Sequence, residues 1–301
     1  MKNAILKLKK EKNAIILSHY YTRPEVQEVA DFVGDSLALA QKAASTDADI
    51  ILFAGVHFMA ETAKIINPTK KVLIPDLNAS CSLADSCNEN DFEKFLQQYP
   101  DYKVLSYVNC SAKVKALSDI IVTSGNALKI VNALPLDEKI IFAPDKNLGA
   151  YINKMTGRKM ILWDGACHVH DGLTVEKVVA LQQQYPQALV IAHPECPEDI
   201  LKYANFVGST AAMLKFVKEH KHKVFVVITE RGILYELQRQ NPDKIFYTAL
   251  EDEQECLTCR YMKYNTLENI LSALQTEQPE LIMDENLMNK ARLSLERMLS
   301  F

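Results

Sequence analysis

Three cysteines, Cys81, Cys167 and Cys259, recur along this 301-residue chain at intervals of 86 and then 92 positions. Thiolates are metal ligands, and such regular spacing suggests one centre that draws a ligand from each of three similar segments. Other polar residues keep the same beat. Tyr107 lies 88 positions beyond His19, and His193 lies 86 beyond Tyr107. Ser124 lies 88 beyond Ser36, and Thr210 lies 86 beyond Ser124. Histidine carries protons near neutral pH, and hydroxyls donate to anions. The copies run from about Ala14 to Cys81, from about Val104 to Cys167, and from about Leu189 to Cys256 and Cys259.

The elements that must position these residues are short apolar runs separated by segments of helical period. In the first copy the strands are expected at Ala14–Leu17, Asp31–Val33, Ile50–Phe53 and Lys71–Ile74. In the second they fall at Val104–Val108, Ile120–Val122, Ile140–Phe142 and Met160–Trp163, and in the third at Leu189–Ala192, Phe206–Val207, Val224–Ile228 and Ile245–Tyr247. Continuous apolar runs of this length suit strands buried on both faces of a parallel sheet. Thr22 with Glu25 reads as a capping box with Pro24 in the first turn, Ser111 as a cap, and Pro197 as a helix opening. The fold class is therefore α/β. Three similar αβα domains, each with a short parallel sheet, sit in pseudo-threefold arrangement around a central cavity. The expected division is 1–82, 83–170 and 171–262, with 263–301 a helical tail packing on the core. Ligands of such sheets bind beyond the carboxyl ends of the strands. That rule gathers His19 with Tyr20 and Tyr21, Tyr107 with Asn109, and His193 with Glu195. It also gathers Asp35 and Ser36, Thr123 and Ser124, and Ser209 and Thr210.

Composition narrows the class. Apolar residues make up 48% and charged residues 24%, as in a soluble globular protein. A formal net charge of −4 offers no basic footprint for nucleic acid. No window is apolar for long enough to span a bilayer, and the Ala14–Leu17 run is too short for a signal peptide. A cytoplasmic location follows as the expectation, where the seven cysteines stay reduced. The nine glycines form neither a GxxxxGK[ST] phosphate loop nor a GxGxxG turn.

Each candidate has a plainer reading. A single cysteine is commonly a small buried hydrophobe, as Cys87, Cys110 and Cys196 are read here because they break the repeat. Regular placement after equivalent strands favours ligation for Cys81, Cys167 and Cys259. Iron–sulfur clusters take thiolate ligands, and four irons held by three cysteines leave one iron open as a Lewis acid. Zinc is the rival metal. Cys256 and Cys259 form a CxxC that also reads as half a zinc site or a redox pair. Ser36, Ser124 and Thr210 can be ordinary helix caps, but three at equivalent turns favour an anion site. His57 and Glu61 read as helix-surface residues, and the acidic run Glu251 to Glu255 as a solvated loop.

Several motifs taken in order resemble the quinolinate synthase family over essentially the whole chain. They are His19 to Tyr21, Gly34-Asp35-Ser36, Tyr107-Val108-Asn109, Gly165-Ala166-Cys167 with Val169-His170, His193-Pro194-Glu195-Cys196, Gly208-Ser209-Thr210, and Cys259 with Met262-Lys263. The resemblance implies an enzyme of NAD biosynthesis that condenses iminoaspartate with dihydroxyacetone phosphate to quinolinate, releasing phosphate and water. It implies a [4Fe-4S] cluster held by one cysteine per domain, at Cys81, Cys167 and Cys259. Cys256 then stands either as a redox partner of Cys259 or as the last ligand in its place. The implied substrate-binding positions are His19, Ser36, Tyr107, Asn109, Ser124, His193, Glu195 and Thr210, with Tyr21 and His170 as further active-site positions. Glu195 is the candidate general base, Tyr21 an acid/base at the triose carbonyl, and His193 a proton carrier. An iminoaspartate supplier, L-aspartate oxidase or aspartate dehydrogenase, is the implied partner. The alternatives are a diphthamide-type radical S-adenosylmethionine enzyme, an iron–sulfur redox sensor that is not an enzyme, and a structural zinc protein.

Overall fold

Strands in this chain are short because each must be apolar on both faces. In β1 (Ala14–His19), Ile15 and Leu17 enter one core cluster while Ile16 enters another. This is the two-residue alternation of a strand sandwiched between helix layers. The computed structural model describes residues 1–248 and 258–301. Cys256 and the acidic run 251–255 lie outside the described residues.

Among the described residues, twelve strands form three four-stranded sheets, every strand pairing parallel. The first holds β1, β2 (Phe32–Gly34), β3 (Ile50–Ala54) and β4 (Lys71–Leu73) in the order β2-β1-β3-β4. The second holds β5 (Lys103–Tyr107), β6 (Ile120–Val122), β7 (Ile140–Ala143) and β8 (Ile161–Leu162), ordered β6-β5-β7-β8. The third repeats the order as β10-β9-β11-β12, with β9 (Leu189–Ala192), β10 (Phe206–Val207), β11 (Val224–Ile228) and β12 (Ile245–Thr248). The expected class, three similar α/β units with parallel sheets, is the observed one. Strand ends shift by a residue or two. β2 begins at Phe32 because the Asp31 carboxylate turns back to accept the Ile16 amide at 2.8 Å. Asp119 does the same for Val104 at 2.8 Å, and the Asn205 amide oxygen for Val190 at 2.8 Å. The threefold repeat is thus written in hydrogen bonds as well as in topology.

Helix starts follow local chemistry. Ser111 caps its helix by accepting the Val114 amide, and Pro197 precedes helix Glu198–Leu201 as expected. The capping box at Thr22 does not form. Arg23 takes the cap position of helix Pro24–Gln27 without a side-chain bond, because the Thr22 hydroxyl bonds Ser18 Oγ and the His19 carbonyl instead. His57 is half-exposed, but Glu61 accepts the Ala112 amide at 2.9 Å and so joins the first unit to the second.

Beyond residue 263 the chain forms two helices, Leu267–Thr276 and Glu285–Leu299. Helix Leu267–Thr276 buries Ile270, Ala273 and Leu274 in the cluster that holds Ile16, Leu52 and Leu73. Helix Glu285–Leu299 buries Met288, Ala291, Leu295 and Met298, an i, i+3, i+7 stripe. That stripe sits in the single cluster shared by the first two sheets. The third sheet keeps separate clusters on its two faces.

Candidate functional site

The carboxyl ends of all three sheets open on one cavity with about 650 Å³ of empty space, its mouth included. From the ends of the first strands come His19 and Tyr21, Tyr107 and Asn109, and His193 and Glu195. Ser36, Ser124 and Thr210 follow the second strands, and Cys81, Cys167 with His170, and Cys259 follow the fourth or stand in its place. Every site residue expected from the sequence therefore lines this one cavity. Parallel strands point their carboxyl ends one way, so three copies facing an axis converge there.

The hydroxyls are not spent as caps. Asp35 caps helix Ser36–Ala44 by accepting the Ala38 amide at 2.9 Å, which leaves Ser36 as the first helical residue. Ser209 caps helix Thr210–Glu219, and Thr210 occupies the matching first position. In the second copy Thr123 accepts the Gly125 amide at 3.2 Å, and Ser124 is left to meet His193 Nε2 at 3.2 Å. Ser36 and Thr210 thus sit at N-termini of helices of 9 and 10 residues, where amide dipoles favour anions. Among the described residues, no lysine or arginine lines the cavity. Binding of an anion falls to these termini and to imidazole N–H donors.

Two of the imidazoles have their tautomer set by the backbone. The Tyr21 amide donates to His19 Nδ1 at 3.1 Å, and the Glu195 amide donates to His193 Nδ1 at 3.3 Å. With Nδ1 an acceptor, a neutral ring carries its proton on Nε2. Burial holds the rings neutral, lowering His19 to about 3 and His193 to about 4, with the neighbouring imidazole charge adding in each case.

Glu195 lies at the centre of a buried network. Burial would raise its carboxyl, but His170 and His193 beside it, with a hydrogen bond from Tyr107, outweigh that and hold it at about 2. His170 Nδ1 stands 2.8 Å from Glu195 Oε2, at an angle that leaves this contact short of a well-aligned hydrogen bond. On its other side His170 Nε2 meets Thr229 Oγ1 at 2.7 Å, and Thr229 Oγ1 meets the Tyr21 hydroxyl at 2.6 Å. The His170 and His193 rings stack with centroids 5.0 Å apart. Burial, with the Glu195 charge, pushes the Tyr21 and Tyr107 phenols well up, so both keep their protons.

All three cavity cysteines are free thiols, and each is the N-cap of a four-residue helix: Ser82–Asp85, His168–Asp171 and Arg260–Lys263. Their partial exposure is to the cavity, since surrounding atoms bury them almost completely. Burial raises all three thiols, Cys259 to about 11. Amides of the following turn oppose it, Leu83 and Ala84 at Cys81, His170 at Cys167, and Tyr261 and Met262 at Cys259. These amides face the sulfurs without closing full hydrogen bonds. Separately, Cys167, His170 and Glu195 place ligand atoms within 4.8 Å of one another, a spacing that can hold a metal ion. Cys87, Cys110 and Cys196 are buried away from the cavity, as their break from the repeat implied.

Four residues escaped the sequence reading. Thr229 bridges Tyr21 and His170, and it follows β11, where the repeat predicts nothing polar. Asp145 is fully buried and caps helix Lys146–Thr156 through Oδ1, while Oδ2 has no partner. Burial, then the Glu195 charge, pushes its carboxyl well up. A Pro-Asp pair ahead of a helical segment was the available signal. Glu230 lines the cavity and pairs with Lys263 at 2.9 Å. Lys263 was quoted only as part of a motif, and no sequence pattern pairs it with Glu230.

The family described as quinolinate synthetase A protein matches residues 3–300 of the chain. A quinolinate synthase of Microcystis aeruginosa is 51% identical over 297 residues, covering 98% of this chain and 93% of that protein. The Synechocystis enzyme of the same name is 53% identical over 298 residues, covering 99% and 94% respectively. That of Chloroherpeton thalassium is 52% identical over 297 residues, covering 98% and 92%.

Proposed function

Because this chain belongs to the quinolinate synthetase A protein family, a family of enzymes, we propose that it forms quinolinate from iminoaspartate and dihydroxyacetone phosphate, releasing phosphate and water. The observation that carries this reading is the convergence of three thiols, a carboxylate–imidazole network and two helix N-termini on one cavity.

Cys81, Cys167 and Cys259 would hold a [4Fe-4S] cluster. The donor set fits it. The three thiols are free, face one cavity and are faced by backbone amides, which stabilise thiolates. Thiolates sharing one tetrahedral zinc stand about 3.8 Å apart, given Zn–S bonds of about 2.3 Å. Among the described residues these three do not form a group with ligand atoms within 4.8 Å, which favours a larger, polynuclear centre. His170 and Glu195 are engaged with Thr229 and Tyr107, which favours acid–base work over ligation. When bound, the cluster supplies an open iron that polarises a hydroxyl or carboxylate for loss of water.

The chain's own residues do the rest. Ser36, Ser124 and Thr210, with the amides of helices Ser36–Ala44 and Thr210–Glu219, bind carboxylate or phosphate oxygens. Neutral His19 and His193 donate from Nε2 to the same groups, and Asn109 adds an amide. Glu195, ionised at neutral pH, takes the proton that converts iminoaspartate to its enamine. Tyr21, which keeps its proton, donates it toward the triose carbonyl and recovers one through Thr229 and His170. The absence of cationic side chains from the described lining suits a product that must leave with its carboxylates. No helix among the described residues is long and apolar enough to cross a membrane. The six free thiols described fit a reducing, cytoplasmic setting.

Anaerobic purification with iron and sulfide counts, followed by a quinolinate assay, tests the reading. About four irons per chain and quinolinate formation are expected, both lost in Cys81→Ala. Zinc in place of iron, or full activity without iron, refutes it.

A further inference from the structure

Outside the acid–base network, Glu230 and Lys263 form an ion pair held from several sides. Glu230 follows β11 in the third unit and its side chain is 1% exposed; Lys263 ends the short helix behind Cys259 and its side chain is 19% exposed. Their charges meet at 2.9 Å. Glu230 Oε1 also accepts the Cys259 amide at 3.3 Å, and Oε2 accepts the Gly232 amide at 2.7 Å. Lys263 Nζ in turn donates to the Tyr21 carbonyl at 2.5 Å. From the same first-unit loop, Arg23 Nε donates to the Lys263 carbonyl at 2.9 Å.

These bonds close a ring. Thr229 holds the Tyr21 hydroxyl, and the adjacent Glu230 holds, through Lys263, the Tyr21 carbonyl. Both ends of one tyrosine are therefore fixed by two consecutive residues of the third unit. The same carboxylate fixes the backbone of Cys259. A buried charge pair saturated this way resists displacement, since removing either partner strands the other in a dry site.

We propose that Glu230 and Lys263 form a positioning clamp that sets Tyr21 and the metal-ligating Cys259 in register, so that the catalytic tyrosine and the third ligand are placed by one ion pair. The proposal rests on the reading of Cys259 as a ligand. Neither residue needs to touch substrate. The clamp ties a ligand on a one-turn helix to the body of the third unit.

The test uses the anaerobically purified holoenzyme. Iron release to a ferrous chelator, kcat, KM and thermal midpoint are measured for wild type, Lys263→Met, Lys263→Arg, Glu230→Gln, and the Glu230→Gln/Lys263→Met double variant. Lys263→Met should release iron about tenfold faster or more, the scale on which residues supporting metal ligands act. Its kcat should fall while KM changes little, and Lys263→Arg should recover part of both. The double variant should resemble the worse single variant, because both changes break one unit. If Lys263→Met does not accumulate as folded protein, the double variant, which strands no buried charge, carries the same comparison. Wild-type iron release and kcat in a folded Lys263→Met protein, or effects that multiply in the double variant, overturn the clamp. Cys259→Ala is the control for the underlying reading: full iron in that variant overturns the ligand assignment, whatever Lys263 does.

Discussion

Thr229→Val removes one oxygen and little volume, which isolates the bridge between Tyr21 and His170. The Thr229 hydroxyl lies 2.6 Å from the Tyr21 hydroxyl and 2.7 Å from His170 Nε2, and it is fully buried. Valine leaves both neighbours without that partner. A stranded buried polar group costs about 1–3 kcal/mol. The adjoining cavity lets water reach part of the gap, so a stability loss of about 2 kcal/mol is expected, toward the lower end of the sum. The catalytic effect is separable. If Tyr21 donates its proton through this bridge, misplacing the hydroxyl raises the barrier by about 1–3 kcal/mol, or about five- to 160-fold in kcat. KM should hardly move, because Thr229 does not line the cavity. The assay is quinolinate formation under anaerobic conditions, with iron counted in each preparation. Tyr21→Phe is the companion variant. In its background the hydroxyl served by Thr229 is gone, so Thr229→Val should add almost nothing. A Thr229→Val enzyme with full iron and undiminished kcat, or losses that multiply in the double variant, refutes the bridge.

Single replacements Cys167→Ala and Cys259→Ala should each match Cys81→Ala in losing iron, sulfide and activity together, whereas Cys196→Ala should keep all three; visible absorbance and metal counts check this. Gly165→Ala should lower both thermal midpoint and iron content, since a Cβ there would meet the Pro144 carbonyl and Ser86 Oγ at 2.5 Å each, two residues before Cys167. Unchanged iron content would refute that role. The buried neutral imidazoles should make a contribution to stability that acid removes. His19 and His193 are lowered from 6.5 to about 3 and about 4, so below pH 6.5 the unfolded chain binds the more protons and stability falls as pH drops toward those values. Glu195, lowered from 4.5 to about 2, adds loss in the same direction below pH 4.5. Asp145 opposes this, because its raised carboxyl adds stability as pH falls. In an Asp145→Asn background the thermal midpoint should be level from about pH 7 to 8 and decline below 6.5, and a rise on acidification there counts against buried neutral imidazoles.

The period of the chain made the architecture legible. Apolar runs of two to six residues between helical segments specify parallel strands, and residues at repeated offsets specify strand ends that face one place. This is why His19, Tyr107 and His193, or Cys81, Cys167 and Cys259, could be assigned to one site. Strand boundaries were less legible, because residues such as Asp31 serve a neighbouring strand's amide rather than extending their own. Thr22 failed as a cap for a related reason: Ser18 and the His19 carbonyl compete for its hydroxyl.

What the sequence determined by itself is the set of elements and the residue types at their ends, since hydrophobic period and local hydrogen bonding act over a few residues. What only the tertiary structure decided is which neighbours those residues acquire across units. Thr229 meets Tyr21 from 208 positions away, and Lys263 meets the Tyr21 carbonyl from 242. Asp35 and Ser209 take the capping duty and leave Ser36 and Thr210 free. Contacts of this kind follow from how three sheets dock around an axis, and docking depends on the summed packing of many side chains rather than on any local pattern. The protonation states follow the same rule, because burial and neighbouring charge set them and neither exists before the units assemble.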